Sequence, residues 1–292
     1  MRFEAWDTLL NMVLLLFWYG FWVKQDRTLF FNPFLGPMSR ASGTVVGFLK
    51  KNVKPLFAPL PDRVVLLIVF ITLLVIRSFL VPGNSHWVLD FGFYSCLANL
   101  GSTFSRIAFS MVSFCVFLFK IWGISLIFVH GAPRNSFDHC TETIHYASKP
   151  FSNLRFDWRP LVLAVFGMTI AFLMEQVGRS ITEQGGLFAD RPPLVSIARY
   201  FIIALAGWAN VLILLRTVLF LLIIGSWVSM FTSSQPLMHF CRTWLDFLLG
   251  PLRRYPLRVG MIDLTPLIMI FALGYLHHLI MWILEGSYLK LV

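Results

Sequence analysis

Apolar residues fill six stretches of about 20 residues, the length of helix that crosses a ~30 Å hydrocarbon core. They run near Ala5 to Val23, Val64 to Pro82, Ile107 to His130, Pro160 to Val177, Ala198 to Phe231 and Pro266 to Leu284. The pattern predicts an all-α, polytopic transmembrane protein of about six spans. The fifth stretch is too long: as straight helix it would run ~51 Å. Either Ala198 to Gly207 lies along the membrane surface or the whole helix is strongly tilted. A hidden extra crossing ranks lower, because it would invert the C-terminal half.

Between spans the pattern turns amphipathic. From Leu237 to Leu252 the apolar positions Leu237, Cys241, Trp244, Leu245, Leu248 and Leu252 recur every three or four residues, with His239, Arg242 and Asp246 on the other face. Such a helix is too polar to span and too apolar to float free, so it belongs in the interface. Gly250 and Pro251 end it, Arg253, Arg254 and Arg258 follow, and Asp263 or Thr265 can cap the last span, whose first turn suits Pro266. An earlier, basic segment has the stripe Met38, Ala41, Val45, Leu49, Val53 and Leu56, with Arg40, Lys50, Lys51 and Lys54 around it. It reads as a degenerate copy of the later corner. Two unequal, parallel repeats follow: 1–82 and 196–292, separated by a central insertion, 83–195, with two spans and a polar loop, 131–159. His86 to Ser105 reads as an outer surface segment, with Trp87 and Tyr94 at headgroup level.

The stretch PLRR followed by GMIDLTP resembles the signature of the YggT family (YlmG in photosynthetic lineages), membrane proteins built from two repeats. Pro251, Arg253, Arg254, Gly260, Ile262, Asp263 and Pro266 fall where that pattern expects them, while a proline expected three residues after the arginine pair stands one place early, at Pro256. Upstream, LILLRTVLFLLIIGSWV, Leu212 to Val228, is similar to the span before the family's second corner, and Asn32-Pro33-Phe34 to the first. The resemblance covers the two ends and leaves the middle third aside. It implies envelope or division-site organisation, osmotic tolerance or, in plastid relatives, help with cofactor assembly.

Composition agrees with a membrane class: of 292 residues, 58% are hydrophobic and 13% charged, too little polar surface for a soluble fold. The acidic, aromatic N-terminus reads as a retained span, not a cleaved signal. The net charge of +10 could suit nucleic acid, but lysine and arginine collect on the cytoplasmic side of membrane proteins anyway. Loops 24–63, 131–159 and 232–263 hold seven, four and four of them, against five in all on the other side. Those three loops are therefore cytoplasmic and both termini outside. Cys96, Cys115, Cys140 and Cys241 show no paired spacing, which argues against metal clusters and thioredoxin-like chemistry.

Candidate chemistry is sparse. Asp138, His139, Cys140, Glu142 and His145 have metal-ligand types without zinc spacing, and read as an ordinary loop. His277 and His278 diverge by about 100° on a helix, so at most one points inward, more plausibly to an interhelical hydrogen bond than to haem. Lys120, Glu175 and Arg216 lie within spans, where an ionisable group costs at least a few kcal/mol and calls for a function or a partner. Pairing of Glu175 with Lys120 or Arg216 would be a structural lock. Arg77 lies near a span end, where snorkelling suffices. No hydrolase, zincin or phosphate-loop motif is present.

The expectation is a non-enzymatic, multi-pass protein of the bacterial inner membrane without cofactor. It would organise anionic lipids or other membrane proteins through Lys50, Lys51, Lys54, Arg253, Arg254 and Arg258, with Asn32, Pro33, Pro251, Gly260, Asp263, Thr265 and Pro266 shaping the corners. Direct nucleic-acid binding is not expected. A channel or transporter with Lys120, Glu175 and Arg216 inside is the alternative, and a structural subunit of an energy-converting complex a third reading.

Overall fold

The computed structural model describes residues 4–22, 32–33, 35–80, 87–92, 94–98, 103–130, 139–181, 193–250, 257–259 and 262–289. Among them the helices are α1 (Glu4–Trp22), α2 (Leu35–Asn52), α3 (Lys54–Phe57), α4 (Asp62–Leu80), α5 (Thr103–His130), α6 (His139–Ala147), α7 (Arg159–Ile181), α8 (Pro193–Thr232), α9 (Gln235–Leu249) and α10 (Thr265–Leu289). Two antiparallel hairpins interrupt them, β1 (Trp87–Phe91) with β2 (Tyr94–Ala98), and β3 (Arg258–Val259) with β4 (Ile262–Asp263). Five helical stretches are long and apolar enough to cross a membrane, in α4, α5, α7, α8 and α10, and α1 adds a shorter apolar one, Leu10–Trp22. The protein is a polytopic helical membrane protein.

The chain divides into two compact units, 1–204 and 205–292, with the boundary inside α8. In the first unit α5 is the central pillar: 61% of its apolar window is buried, against 33% for α4 and 28% for α7. Leu14 and Phe17 of α1, Val65 and Phe70 of α4, and Phe114 and Phe117 of α5 form its core. Phe114 meets Trp18 and Phe70 edge to face and Trp18 lies tilted on Phe70, with centroids 5.0 to 6.0 Å apart. Helices in lipid gain little from hydrophobic exclusion and associate through close packing, which small residues permit. Gly167 is such a site on α7: a Cβ there would come within 2.8 Å of both Phe119 and Ala204.

Two sequence expectations need correction, and a third gains detail. His86 to Ser105, read as an outer surface segment, carries the β1–β2 hairpin. Its strands, WVLDF and YSCLA, show no alternation of apolar and polar residues that would have announced them, and Gly92 turns between them at φ 61°. The stripe expected on α2 is rotated. The buried positions are Leu35, Ser39, Ser42 and Val46, while Ala41 and Val53 are exposed and Met38, Val45 and Leu49 half-buried. Small polar residues win that face because they let α2 approach α1: a Cβ on Gly20 would lie 3.3 Å from Ser42. Finally, α8 is one unbroken helix of 40 residues, ~60 Å long, so the reading of a separate surface segment followed by a span does not hold.

Candidate functional site

The second unit is built around a corner. α9 starts after Ser233 and Ser234, with Pro236 in its first turn, and buries Cys241, Leu248 and Leu249. His239, Arg242 and Asp246 are exposed on its other side. Gly225 of α8 lets α9 sit close, since a Cβ there would come within 2.9 Å of the Cys241 sulfur. The helix ends at Gly250, whose φ of +44° favours glycine and whose N–H donates to the Asp246 carbonyl.

Beyond it the chain returns as the β3–β4 hairpin, with Arg258 opposite Asp263 in register. The Leu264 N–H donates to the Leu257 carbonyl at 2.9 Å. Thr265 was a candidate cap for α10, but its buried hydroxyl accepts from the Leu257 N–H at 3.0 Å and so ties the helix start back onto the hairpin. Pro266 takes the first turn, where its missing N–H costs nothing. Pro251, Arg253, Arg254 and Gly260 lie outside the described residues.

Polar side chains gather within the spans of this unit. His277, half-buried at the midpoint of α10, shares a 3.1 Å hydrogen bond between its Nε2 and Asn210 Oδ1 of α8. Arg216, two turns further along α8, is exposed and lies against Gly274, where a Cβ would come within 3.1 Å of its Nη1. Among the described residues it has no hydrogen bond or ion pair. His278 is exposed beside His277.

In the first unit, Glu175 of α7 accepts a hydrogen bond from Arg199 of α8, and both are buried. The partner of Glu175 is thus Arg199, not the Lys120 or Arg216 that the sequence suggests for a lock. Removing one member of such a pair strands a buried charge, at a cost of roughly 3–5 kcal/mol. Lys120 is half-buried in α5. Arg77 does not snorkel. It is 1% exposed and donates to Asn11 Oδ1 at 2.7 Å and to Ser113 Oγ at 2.6 Å, across three helices.

The first corner is fixed through Asn32. Its Oδ1 accepts from the Leu35 N–H at 3.1 Å, capping α2, and its Nδ2 donates to Glu142 Oε2 of α6 at 2.7 Å. Pro33 is exposed beside it. Lys50 bridges to Asp62 at 2.6 Å, so one of the expected lipid- or partner-binding lysines is already engaged, while Lys51 and Lys54 are exposed. The polar loop is more ordered than expected: α6 is followed by two 3-10 turns, and Trp18 Nε1 donates to the Lys149 carbonyl at 3.0 Å. Cys140 is buried there and His139 exposed, and Asp138 lies outside the described residues. Burial, with Lys149 and Arg159 nearby, pushes His145 down to about 4, so it is neutral at physiological pH. Among the described residues no group of three His, Cys, Asp or Glu side chains converges as metal ligands.

Asn210 and Asn11 were legible signals left unread: a lone amide inside an apolar run usually marks an interhelical hydrogen bond. Residues 194–284, from α8 through most of α10, match the family model described as CCB3/YggT, so the family resemblance holds over the second corner and both flanking spans. No curated protein and no solved structure matches the chain.

Proposed function

We propose that this chain, YggT-like from 194 to 284, is a non-enzymatic, multi-pass protein of the bacterial inner membrane. It works by holding anionic lipids and partner membrane proteins at its second corner. The observation that supports this most is the build of that corner. α9 pairs a buried Cys241–Leu248 edge with exposed His239, Arg242 and Asp246, and is followed at once by Arg253 and Arg254 in sequence. A polar helix edge followed in sequence by two arginines suits phosphate and carboxylate, which arginine grips through two parallel hydrogen bonds. Each basic residue at an anionic surface adds on the order of 1 kcal/mol to attachment.

Two assays on the full-length protein test the reading. Purification in mild detergent should recover a reproducible set of membrane proteins, reduced when Arg253 and Arg254 are both changed to Gln. Solute flux through liposomes containing the protein alone, with no such set recovered, would overturn it in favour of transport.

A further inference from the structure

The Arg216 guanidinium lies against Gly274, about 14 Å along α10 from Thr265, and His278 stands about 20 Å along the same helix. Both positions fall near the middle of a ~30 Å core, and both side chains are exposed. Only 6% of the apolar window of α10 is buried, so most of this helix has no neighbour in the unit. The uncovered side is patterned. Phe271, Tyr275, His278 and Trp282 follow each other at intervals of four, three and four residues, the seam by which one helix packs along another. Phe271, Tyr275 and Trp282 are 69, 73 and 67% exposed. Gly274, one turn before His278, leaves the space in which the Arg216 guanidinium lies against the α10 backbone.

The guanidinium gives this surface a positive charge at a depth where water does not screen it. We propose that Arg216 receives a side-chain carboxylate, Asp or Glu, presented at mid-membrane by the transmembrane helix of a partner protein, which packs along the Phe271–Trp282 seam with His278 as a second polar contact. This rests on the reading that the chain acts through partner membrane proteins, but it uses a different surface from the corner. Charge complementarity selects the occupant. A lipid phosphate lies ~15 Å away at either face of the core, beyond the reach of a side chain at its centre. A second copy would bring the same cation to the same depth. Among the described side chains of the spanning helices, the carboxylates it could offer are Asp62 at a helix start, Glu175 held by Arg199, and Glu285 about 10 Å further along α10.

The test uses the full chain in native membranes with the photoreactive substitution Tyr275→p-benzoylphenylalanine. Illumination should give an adduct whose cross-linked peptide is an apolar span of another protein with a central Asp or Glu. Its yield should fall about tenfold in Arg216→Gln, the loss of one charge-assisted contact, and recover in part in Arg216→Lys. Correct insertion of each variant is checked by its expression and protease pattern. Adducts to lipid alone, to a second copy, to another segment of this chain or to a helix without a carboxylate would overturn the proposal. So would no adduct, or an unchanged yield in Arg216→Gln. If partners still co-purify through the corner while the adduct is missing, this inference falls and the corner reading stands.

Discussion

Arg77 brings a guanidinium into the α1–α4–α5 core, and the hydrogen bonds around it are costly to remove. Asn11→Leu deletes the acceptor at 2.7 Å and should destabilise the protein by about 2 kcal/mol, the scale for a bond to a charged group. Thermal unfolding in detergent reads this directly, and an unchanged midpoint would show that Asn11 does not hold the guanidinium. Gly225 poses the opposite problem, of space. A methyl group there meets the Cys241 sulfur at 2.9 Å, so Gly225→Ala should cost about 1–3 kcal/mol through overpacking. Cys241→Ala in the same chain should restore most of the loss. Additive effects of the two substitutions in a double-mutant cycle would mean that α8 and α9 do not meet there.

At the scale of elements, α6 tests how the polar loop is held. Asn32→Ala removes both the cap of α2, worth about 1 kcal/mol, and the bond to Glu142, so amide exchange in 139–147 should accelerate together with the first turn of α2. Acceleration confined to α2 would show that Glu142 is not a dock. The same element should respond to acid. His145 is neutral in the fold down to about 4, whereas a free imidazole takes a proton near 6.5. Between those values the undocked form binds more protons, so docking is fully present above pH 6.5 and weakens as the pH falls towards 4. His145→Gln should flatten that dependence in the exchange of 139–147, and an unchanged profile would assign it to another group. The spanning helices were legible, since each rests on a long apolar run, whereas α6, HCTETIHYA, was not. Not legible were the facts decided by partners distant in sequence: the small-residue face of α2, set by Gly20; Arg199 as the mate of Glu175; and Thr265 turned back to Leu257. Periodicity reports which residues are apolar, not which neighbour comes closest.

For the whole molecule, the uneven distribution of lysine and arginine predicts that loops 24–63, 131–159 and 232–263 are cytoplasmic. A membrane-impermeant thiol reagent applied from outside should label a cysteine placed between 182 and 190 and spare one between 149 and 155; labelling in the opposite sense would invert the topology. In that orientation the second corner would face anionic lipid and cytoplasmic partners, as the proposed function requires. The most direct measurement is native electrophoresis of membranes solubilised in mild detergent, comparing the parent chain with variants changed at both Arg253 and Arg254. The parent should migrate as a discrete assembly well above the 33.5 kDa chain. Lys at both positions should weaken that assembly, and Gln at both should release the chain from it while insertion stays normal. A parent that migrates alone, or an assembly indifferent to both pairs of substitutions, would contradict the account.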